Sequence, residues 1–192
     1  EAEDARLVRQ PQMRQIGKEL EEIAVETVPL ATNVSKVTAH QLEQALVLER
    51  LFRLADLSPT SETGDRAALE EKLKTLSVRV GEEIGLAREI ARKGISLAVS
   101  PDHAAKYERV LDQLGRISSE YEAYEKHLGQ IIGHIDAGNL DAAQKLSATL
   151  EREQHRLDAE LLALTEDLDR FTVEASAAEP VNGGCAVRIQ ID

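Results

Sequence analysis

The stretch that decides the fold runs from Tyr107 to Ile135 and reads YERVLDQLGRISSEYEAYEKHLGQIIGHI. Alternating steps of three and four residues from Tyr107 select a mostly apolar series, which is typical of the buried side of a helix in a bundle. Two more segments, starting at Ile16 and Leu140, show the same spacing. The three series are Tyr107, Val110, Leu114, Ile117, Tyr121, Tyr124, Leu128, Ile131 and Ile135; Ile16, Leu20, Ile23, Thr27, Leu30, Val34, Val37, Gln41, Gln44, Leu48 and Leu51; and Leu140, Ala143, Ser147, Leu150, Gln154, Leu157, Leu161, Leu164, Leu168 and Phe171.

The three series predict an all-α fold, an antiparallel up-down four-helix bundle with long first and last helices. A second helix carries its own apolar positions from Leu69 to Ala91. The predicted helices run from about Pro11 to Asp56, from Asp65 as N-cap to Gly94, from Pro101 with Ser100 as N-cap to Asp136, and from Asn139 as N-cap to about Ala175. Residues 1–10 are expected to extend the first helix, residues 11–177 to form the bundle, and residues 178–192 to be a tail outside the fold.

Two local features complete this prediction. Pro29 lies inside the first helical pattern and removes a backbone hydrogen bond, so we expect an irregularity there. Gly138 is expected to adopt the left-handed conformation that ends the third helix. The connection that follows is short enough to make the third and fourth helices antiparallel neighbours.

Polar side chains interrupt the apolar series at one height in the predicted bundle. Counting at about 1.5 Å per residue places them roughly 20–24 Å from the same end. On the second helix that level falls near Arg79, where Gly81 and Gly85 are expected to leave space. The candidate ligand-binding residues are therefore Gln41, Gln44, Tyr121, Tyr124, Gln154 and Arg79.

Two interpretations of these polar residues remain open. A buried amide or phenol must find a hydrogen-bond partner, because burying it unpaired is unfavourable. The partner can be a small molecule bound between the helices. It can equally be another member of the layer, which then fixes the helix register without binding anything.

Composition and charge exclude several classes of partner. The 192 residues include no Trp and only one Cys, Cys185, so no disulfide can form within the chain. The formal net charge of −12 argues against a nucleic-acid partner and against an anionic membrane surface, since both need a basic face. No run of about 18 apolar residues is present to span a membrane. The chain begins with Glu1 rather than Met, so we expect processing or excision from a longer protein.

The histidines provide a test for a metal-binding bundle. A di-iron carboxylate bundle needs Glu-x-x-His on two helices, and no such sequence occurs. The nearest arrangements are two pairs, each on one helix face, which leave a mononuclear metal site as an alternative: His40 with Glu43, and Glu151 with His155. We find no phosphate-binding loop and no catalytic arrangement, and therefore expect neither an enzyme nor a resident cofactor.

The run His40-Gln41-Leu42-Glu43-Gln44, followed by Leu48-Glu49-Arg50, resembles the extracytoplasmic sensor region of a group of bacterial methyl-accepting chemotaxis proteins. Further similarities, which together cover roughly residues 11–177, are Pro29-Leu30, Tyr124 with His127, the turn Ala137-Gly138-Asn139, and Phe171-Thr172. The resemblance implies a periplasmic ligand-sensing domain of an inner-membrane receptor. It also implies a homodimer, membrane anchoring through flanking helices, and signalling by a small displacement of the last helix.

Three functions therefore compete. The first is a chemoreceptor sensor domain that binds a small molecule such as an organic acid or an amino acid. The second is a helical scaffold that binds another protein, which predicts an exposed apolar stripe. The third is a metal- or haem-binding bundle, which predicts stoichiometric metal in the purified protein.

Overall fold

The computed structural model describes residues 26–57, 63–98 and 100–177. These residues form four helices: α1 (Val28–Leu57), α2 (Thr63–Leu97), α3 (Pro101–Asp136) and α4 (Leu140–Ala177). The described residues contain no strand. The predicted all-α fold with four helices is confirmed.

The helices follow one another around the bundle. α1 packs on α2, α2 on α3, α3 on α4, and α4 closes against α1. Side chains also reach across the diagonal of the bundle to α3. Thr27, which directly precedes α1, contacts the hydroxyl of Tyr107, and Gln44 of α1 contacts the hydroxyl of Tyr121. The start of α1 and the end of α4 consequently lie at the same end of the bundle.

The core follows the apolar spacing of the sequence. On α3 every member of the series from Tyr107 to Ile135 is buried. α2 contributes Leu73, Leu76, Val80, Ile84, Ala87 and Ala91, and α4 contributes Ala143, Leu150, Leu157, Leu161, Leu164 and Leu168. Removing this apolar surface from water is the main driving force for the packing of the four helices.

Capping residues fix the boundaries of the second half of the chain. The Ser100 hydroxyl accepts a hydrogen bond from the His103 amide at 3.2 Å, with Pro101 at the first helical position, as predicted. Gly138 has φ of +70°, which is the left-handed conformation expected of it. The Asn139 side chain accepts a hydrogen bond from the Ala142 amide at 3.2 Å and caps α4.

The start of α1 and the start of α2 differ in detail from the prediction. Glu26 and Thr27 adopt wider π-helical geometry just before Pro29, which is the predicted irregularity. The earlier part of the predicted first helix, residues 11–25, lies outside the described residues, and so do the tail and Cys185. The prediction that Asp65 caps α2 is wrong, because α2 already begins at Thr63 and Asp65 lies in its first turn.

The end of α2 was also predicted wrongly. The helix continues past Gly94 to Leu97. Gly94 does not stop the helix; it lets α2 approach α3, since a Cβ atom at this position would lie 2.6 Å from Cδ1 of Tyr107. α4 ends at Ala177, two residues beyond the predicted end, which is within the usual uncertainty of a helix end. None of the described helices combines the length and apolarity needed to cross a membrane.

Candidate functional site

Two residues of the predicted polar layer, Gln44 and Tyr121, are hydrogen-bonded to each other. Gln44 is completely buried. Its side-chain nitrogen donates hydrogen bonds to the Ser77 hydroxyl and to the Tyr121 hydroxyl, both at 3.0 Å. α1, α2 and α3 therefore meet at one amide, which is the arrangement expected of a layer that fixes helix register.

Two other residues of the layer, Gln41 and Tyr124, have unpaired polar atoms. Gln41 is 1% exposed and Tyr124 is 0% exposed. Neither the side-chain nitrogen of Gln41 nor the hydroxyl of Tyr124 has a hydrogen-bond partner among the described residues. An unpaired buried amide or hydroxyl destabilises the folded state by about 1–3 kcal/mol. These two groups are therefore available to form hydrogen bonds with a polar molecule.

The two tyrosines lie against each other in this layer. The ring centroids of Tyr121 and Tyr124 are 5.9 Å apart and the ring planes differ by 20°. Burial raises the pKa of Tyr121 to about 12. Burial, with smaller contributions from Tyr121, Asp158 and Glu153, raises the pKa of Tyr124 still further. Both phenols are neutral hydrogen-bond donors near physiological pH.

Gln154 does not join the interior layer. It is half-buried on the side of α4 that faces α1, and it lines an open groove of about 310 Å³ between these two helices. The apolar stripe of α4 is broad, so a position in the three-and-four series can lie at its flank rather than at its centre. The groove is lined by Thr38, Leu42, Gln154, Asp158, Leu161, Leu162 and Thr165.

The prediction that Arg79, Gly81 and Gly85 of α2 lie beside the polar layer is wrong, because they are on the outer side of the helix. Arg79 is exposed, and so are Gly81 and Gly85. Nothing lies within 4 Å of a Cβ atom built on either glycine, because both face open space outside the bundle. The buried side of α2 passes through Leu76, Val80 and Ile84, which turns their neighbours outward. Arg79 is therefore removed from the candidate ligand-binding residues.

The four metal candidates are not brought together. His40 contacts the Glu83 carboxylate at 2.9 Å. Glu43 pairs with Lys72 at 2.6 Å, and this hydrogen bond lowers the pKa of the Glu43 carboxyl. Glu151 and His155 are exposed on α4. Within residues 26–57, 63–98 and 100–177, no group of three or more His, Cys, Asp or Glu side chains has an arrangement that could hold a metal ion.

The histidines instead link neighbouring helices in pairs. His40 joins α1 to α2 through Glu83, and Nδ1 of His127 lies 2.9 Å from both oxygens of Glu153, which joins α3 to α4. Both pairs are half-buried at the edges of the core. His40 and His127 therefore flank the core and join neighbouring helices.

Comparisons with protein-family models, curated proteins and solved structures find no match for this chain. The geometry of the site is therefore the basis for a functional interpretation.

Two residues of the site were not identified from the sequence. Ser77 receives one of the Gln44 hydrogen bonds, and Asp158 lies in the groove between α1 and α4. Ser77 immediately follows Leu76, a member of the buried series of α2. This neighbouring position was the signal in the sequence that Ser77 could lie near the core. Asp158 carried none, because a carboxylate on a helix flank is ordinarily a solvated charge.

Proposed function

We propose that the bundle is the extracytoplasmic ligand-sensing domain of a transmembrane chemoreceptor. The observation that carries the proposal is the pair of buried, unpaired polar groups on Gln41 and Tyr124. A purely structural layer gains nothing from leaving a donor unpaired, since that destabilises the folded chain. A small molecule that pairs with these groups would remove the penalty on binding.

The neighbouring groups also favour ligand binding at this level. Gln44 and Tyr121 already hold α1 and α3 in register through their own hydrogen bond. Gln41 lies one turn before Gln44, and Tyr124 lies one turn after Tyr121 and stacks on its ring. The residues that carry the unpaired groups are therefore held in place before a ligand binds. Such pre-organisation increases affinity, because less conformational freedom of the side chains is lost on binding.

The signalling step in this proposal is a shift in helix packing. A ligand that binds one arrangement of the helices more tightly than another shifts the population toward that arrangement. α4 borders the groove and is the last described helix, so a small sliding of α4 against α1 is the displacement that the resemblance to chemoreceptors implies. In the same proposal, the domain is periplasmic and is anchored by membrane helices in the full-length receptor.

The experiment is a thermal-shift screen of the purified chain against amino acids, organic acids, purines and divalent metals. A ligand at about 100 times its dissociation constant adds roughly 2.7 kcal/mol of stability. We expect at least one metabolite to raise the melting temperature by several degrees. Tyr124→Phe and Gln41→Leu should remove that shift, whereas Arg79→Ala, which alters an exposed side chain, should retain it.

Two results would contradict the proposal. One is the absence of any stabilising metabolite. The other is a metabolite whose shift survives both interior substitutions, which would place its binding site elsewhere. A shift seen with divalent metals alone would favour the metal-binding alternative, and His40→Ala with Glu83→Ala would then locate the metal.

A second candidate, a scaffold that binds another protein chain, is favoured by one observation. Large apolar side chains are exposed along α1 and α4: Val28, Leu42, Leu46, Leu162 and Val173. Helical spacing places the first three on one side of α1 and the last two on one side of α4. The same surface suits the homodimer implied by the resemblance. Sedimentation equilibrium of the wild type and of Leu46→Glu separates the two, because a dimer interface formed by this surface predicts dimers that the substitution dissociates.

A further inference from the structure

Polar side-chain contacts join α3 to α4 at several levels of the bundle. They link Lys106 to Glu174 at 2.7 Å, Gln113 to Asp167 at 2.8 Å and His127 to Glu153 at 2.9 Å. A displacement of α4 along α3 by a few ångströms would break all of these contacts together, because hydrogen bonds from nitrogen donors are only about 2.7–3.2 Å long. α3 and α4 are therefore held to each other as a pair.

α1 and α2 are held in the same way. Three polar contacts join them, from His40 to Glu83 at 2.9 Å, from Gln44 to Ser77 at 3.0 Å and from Glu43 to Lys72 at 2.6 Å. Their packing is also the most extensive between any two helices of the bundle. α1 and α2 therefore form a second pair.

The contact between α1 and α4 has a different character. It is the least extensive of the contacts between neighbouring helices, and the groove of about 310 Å³ lies along it. Within residues 28–57 and 140–174, no side-chain hydrogen bond or ion pair joins α1 to α4. Apolar packing has no preferred direction, so this contact resists a displacement less than a contact crossed by polar bonds.

The contact between α2 and α3 joins the two pairs near both ends of these helices. Gly94 lies under the ring of Tyr107, close to the end of α2 and the start of α3. Arg66 forms an ion pair with Asp136 at the opposite end. A contact that is fixed at both ends while the opposite side of the bundle is loose has the arrangement of a hinge.

One buried hydrogen bond crosses the interior from one pair to the other. Gln44 donates to the Tyr121 hydroxyl at 3.0 Å, and both side chains are buried. The other diagonal contact, between the hydroxyls of Thr27 and Tyr107, is longer at 3.4 Å. A neutral hydrogen bond makes a modest net contribution, so the bond from Gln44 restrains the separation of α1 from α3 without preventing it.

We propose that the helix pairs α1–α2 and α3–α4 move as two units that separate along the contact between α1 and α4. The contact between α2 and α3 is the hinge, and the hydrogen bond between Gln44 and Tyr121 holds the units closed. This inference goes beyond the sensor proposal, because the motion occurs with or without a ligand. Within the sensor proposal, the same opening would uncover Gln41, which shares a turn of α1 with the groove residues Thr38 and Leu42.

Thiol labelling of the folded protein tests the opening. Leu161→Cys and Leu164→Cys, each combined with Cys185→Ser, form a matched pair, because both leucines are buried and lie one turn apart on α4. Leu161 lines the groove beside α1, whereas Leu164 lies one turn from Glu160 and from Asp167, which both pair with α3. We expect the thiol at position 161 to react at least about tenfold faster, because opening removes α1 from it and leaves α3 over position 164.

Two glutamine substitutions test the bond that holds the units closed. Gln44→Leu should raise the ratio of the labelling rates at positions 161 and 164 by about threefold or more, because it removes the bond between the units. Gln113→Leu is the matched control, since it removes a hydrogen bond within the pair α3–α4, and it should not raise the ratio. The ratio cancels changes in global unfolding, which exposes both positions equally.

A second pair of cysteine variants changes the side-chain volume less. Val34→Cys and Val47→Cys replace two valines of α1 that are each 1% exposed. Val34 lies one turn before Thr38 of the groove, and Val47 lies one turn after Glu43, which pairs with α2. The thiol at position 34 should therefore react faster than the thiol at position 47.

Equal labelling rates within both cysteine pairs would overturn the proposal, because they would show that the interior opens only when the whole chain unfolds. A ratio that rises as much with Gln113→Leu as with Gln44→Leu would also overturn it, since α3 and α4 would then not move as a unit. The sensor proposal is judged separately by the thermal-shift screen, because the two units can separate in a protein that binds no metabolite.

Discussion

At the scale of the residue, Gln41 and Gln44 have the same chemistry but different surroundings. They lie one turn apart on α1, and both amides are buried. Gln44 donates to Ser77 and Tyr121, whereas the Gln41 nitrogen donates to no described residue. The free energy of a buried amide depends on whether it is paired, so these two residues should respond in opposite ways to the same substitution.

We expect Gln44→Leu to destabilise the bundle by about 1–3 kcal/mol, because it leaves the buried Tyr121 hydroxyl without its partner. Gln41→Leu should be neutral or stabilising, because it replaces an unpaired amide with an apolar group of similar size. Urea unfolding of the two variants and the wild type measures the difference. Equal destabilisation by both substitutions would contradict this prediction and would indicate that Gln41 is paired in solution.

The raised pKa of Tyr121 predicts how stability changes at alkaline pH. An unfolded tyrosine titrates near 10.0, and the folded value is about 12. The folded state therefore keeps the proton more strongly, so the stabilisation is fully present below pH of about 10 and is lost as the pH rises toward about 12. We expect the urea midpoint to fall across this interval, in step with tyrosinate absorbance.

Tyr121→Phe supplies the comparison for the alkaline titration. Its urea midpoint should fall less steeply over the same pH interval, because one of the buried ionising groups has been removed. A wild-type midpoint that stays constant across the interval would contradict the assigned pKa.

The sequence correctly predicts that four of the six candidate site residues are buried. An amide or a phenol is easy to recognise at a helix position where the three-and-four spacing otherwise places apolar residues. Gln41, Gln44, Tyr121 and Tyr124 are buried as expected. The sequence does not predict which of them are paired. Pairing depends on side-chain rotamers and on the Ser77 hydroxyl, and a count of residues along a helix gives a height but no direction in space.

At the scale of the element, the glycines of α2 show that the side of the helix on which a residue lies determines the effect of substituting it. Gly81 faces open space, whereas Gly94 lies under the ring of Tyr107. Both are inside the helix, where glycine is about 1 kcal/mol less favourable than alanine. A methyl group added by substitution to alanine would therefore contact water at Gly81 and the buried ring of Tyr107 at Gly94.

We expect Gly81→Ala to stabilise the protein by about 1 kcal/mol. Gly94→Ala should be destabilising by about 1–3 kcal/mol, because its methyl group would overpack the contact between α2 and α3. Thermal unfolding followed by circular dichroism compares the two. A stabilising Gly94→Ala would mean that Tyr107 moves aside easily and that the close approach of the helices is not required.

The ends of the helices were predicted better where the chain carries capping chemistry than where it does not. Ser100 with Pro101 and Gly138 with Asn139 have strong local preferences, and the structure uses all four as expected. Gly94 misled the prediction, since a glycine after an apolar series is typical of a helix end. Its role depends on a tertiary neighbour, Tyr107, that local sequence does not reveal.

At the scale of the whole molecule, the acidic surface opposes the packing of the core. The excess of 35 acidic over 23 basic residues gives a net charge of −12. Like charges repel most in the compact state, and salt screens them over a Debye length of about 8 Å at physiological ionic strength. The exposed ion pairs that oppose this effect are individually weak.

We therefore expect sodium chloride to raise the melting temperature between low and physiological ionic strength. Lys72→Ala, which removes one partner of an exposed pair with Glu43, should increase the size of the salt effect, because it makes the net charge more negative. The measurement is a thermal denaturation series in sodium chloride at constant buffer. A melting temperature that falls with salt would show that ion pairing outweighs the general repulsion.

The up-down topology has a consequence for the order in which the molecule forms. Each helix packs mainly on the helix that follows it in the chain, and the contact between α1 and α4 joins the most distant segments. A chain rich in local contacts folds quickly, and the contact with the longest separation closes a loop that contains the other two helices. The groove lies at this last seam, so a molecule bound there would leave the rate of folding almost unchanged and would act by slowing the opening of the finished bundle.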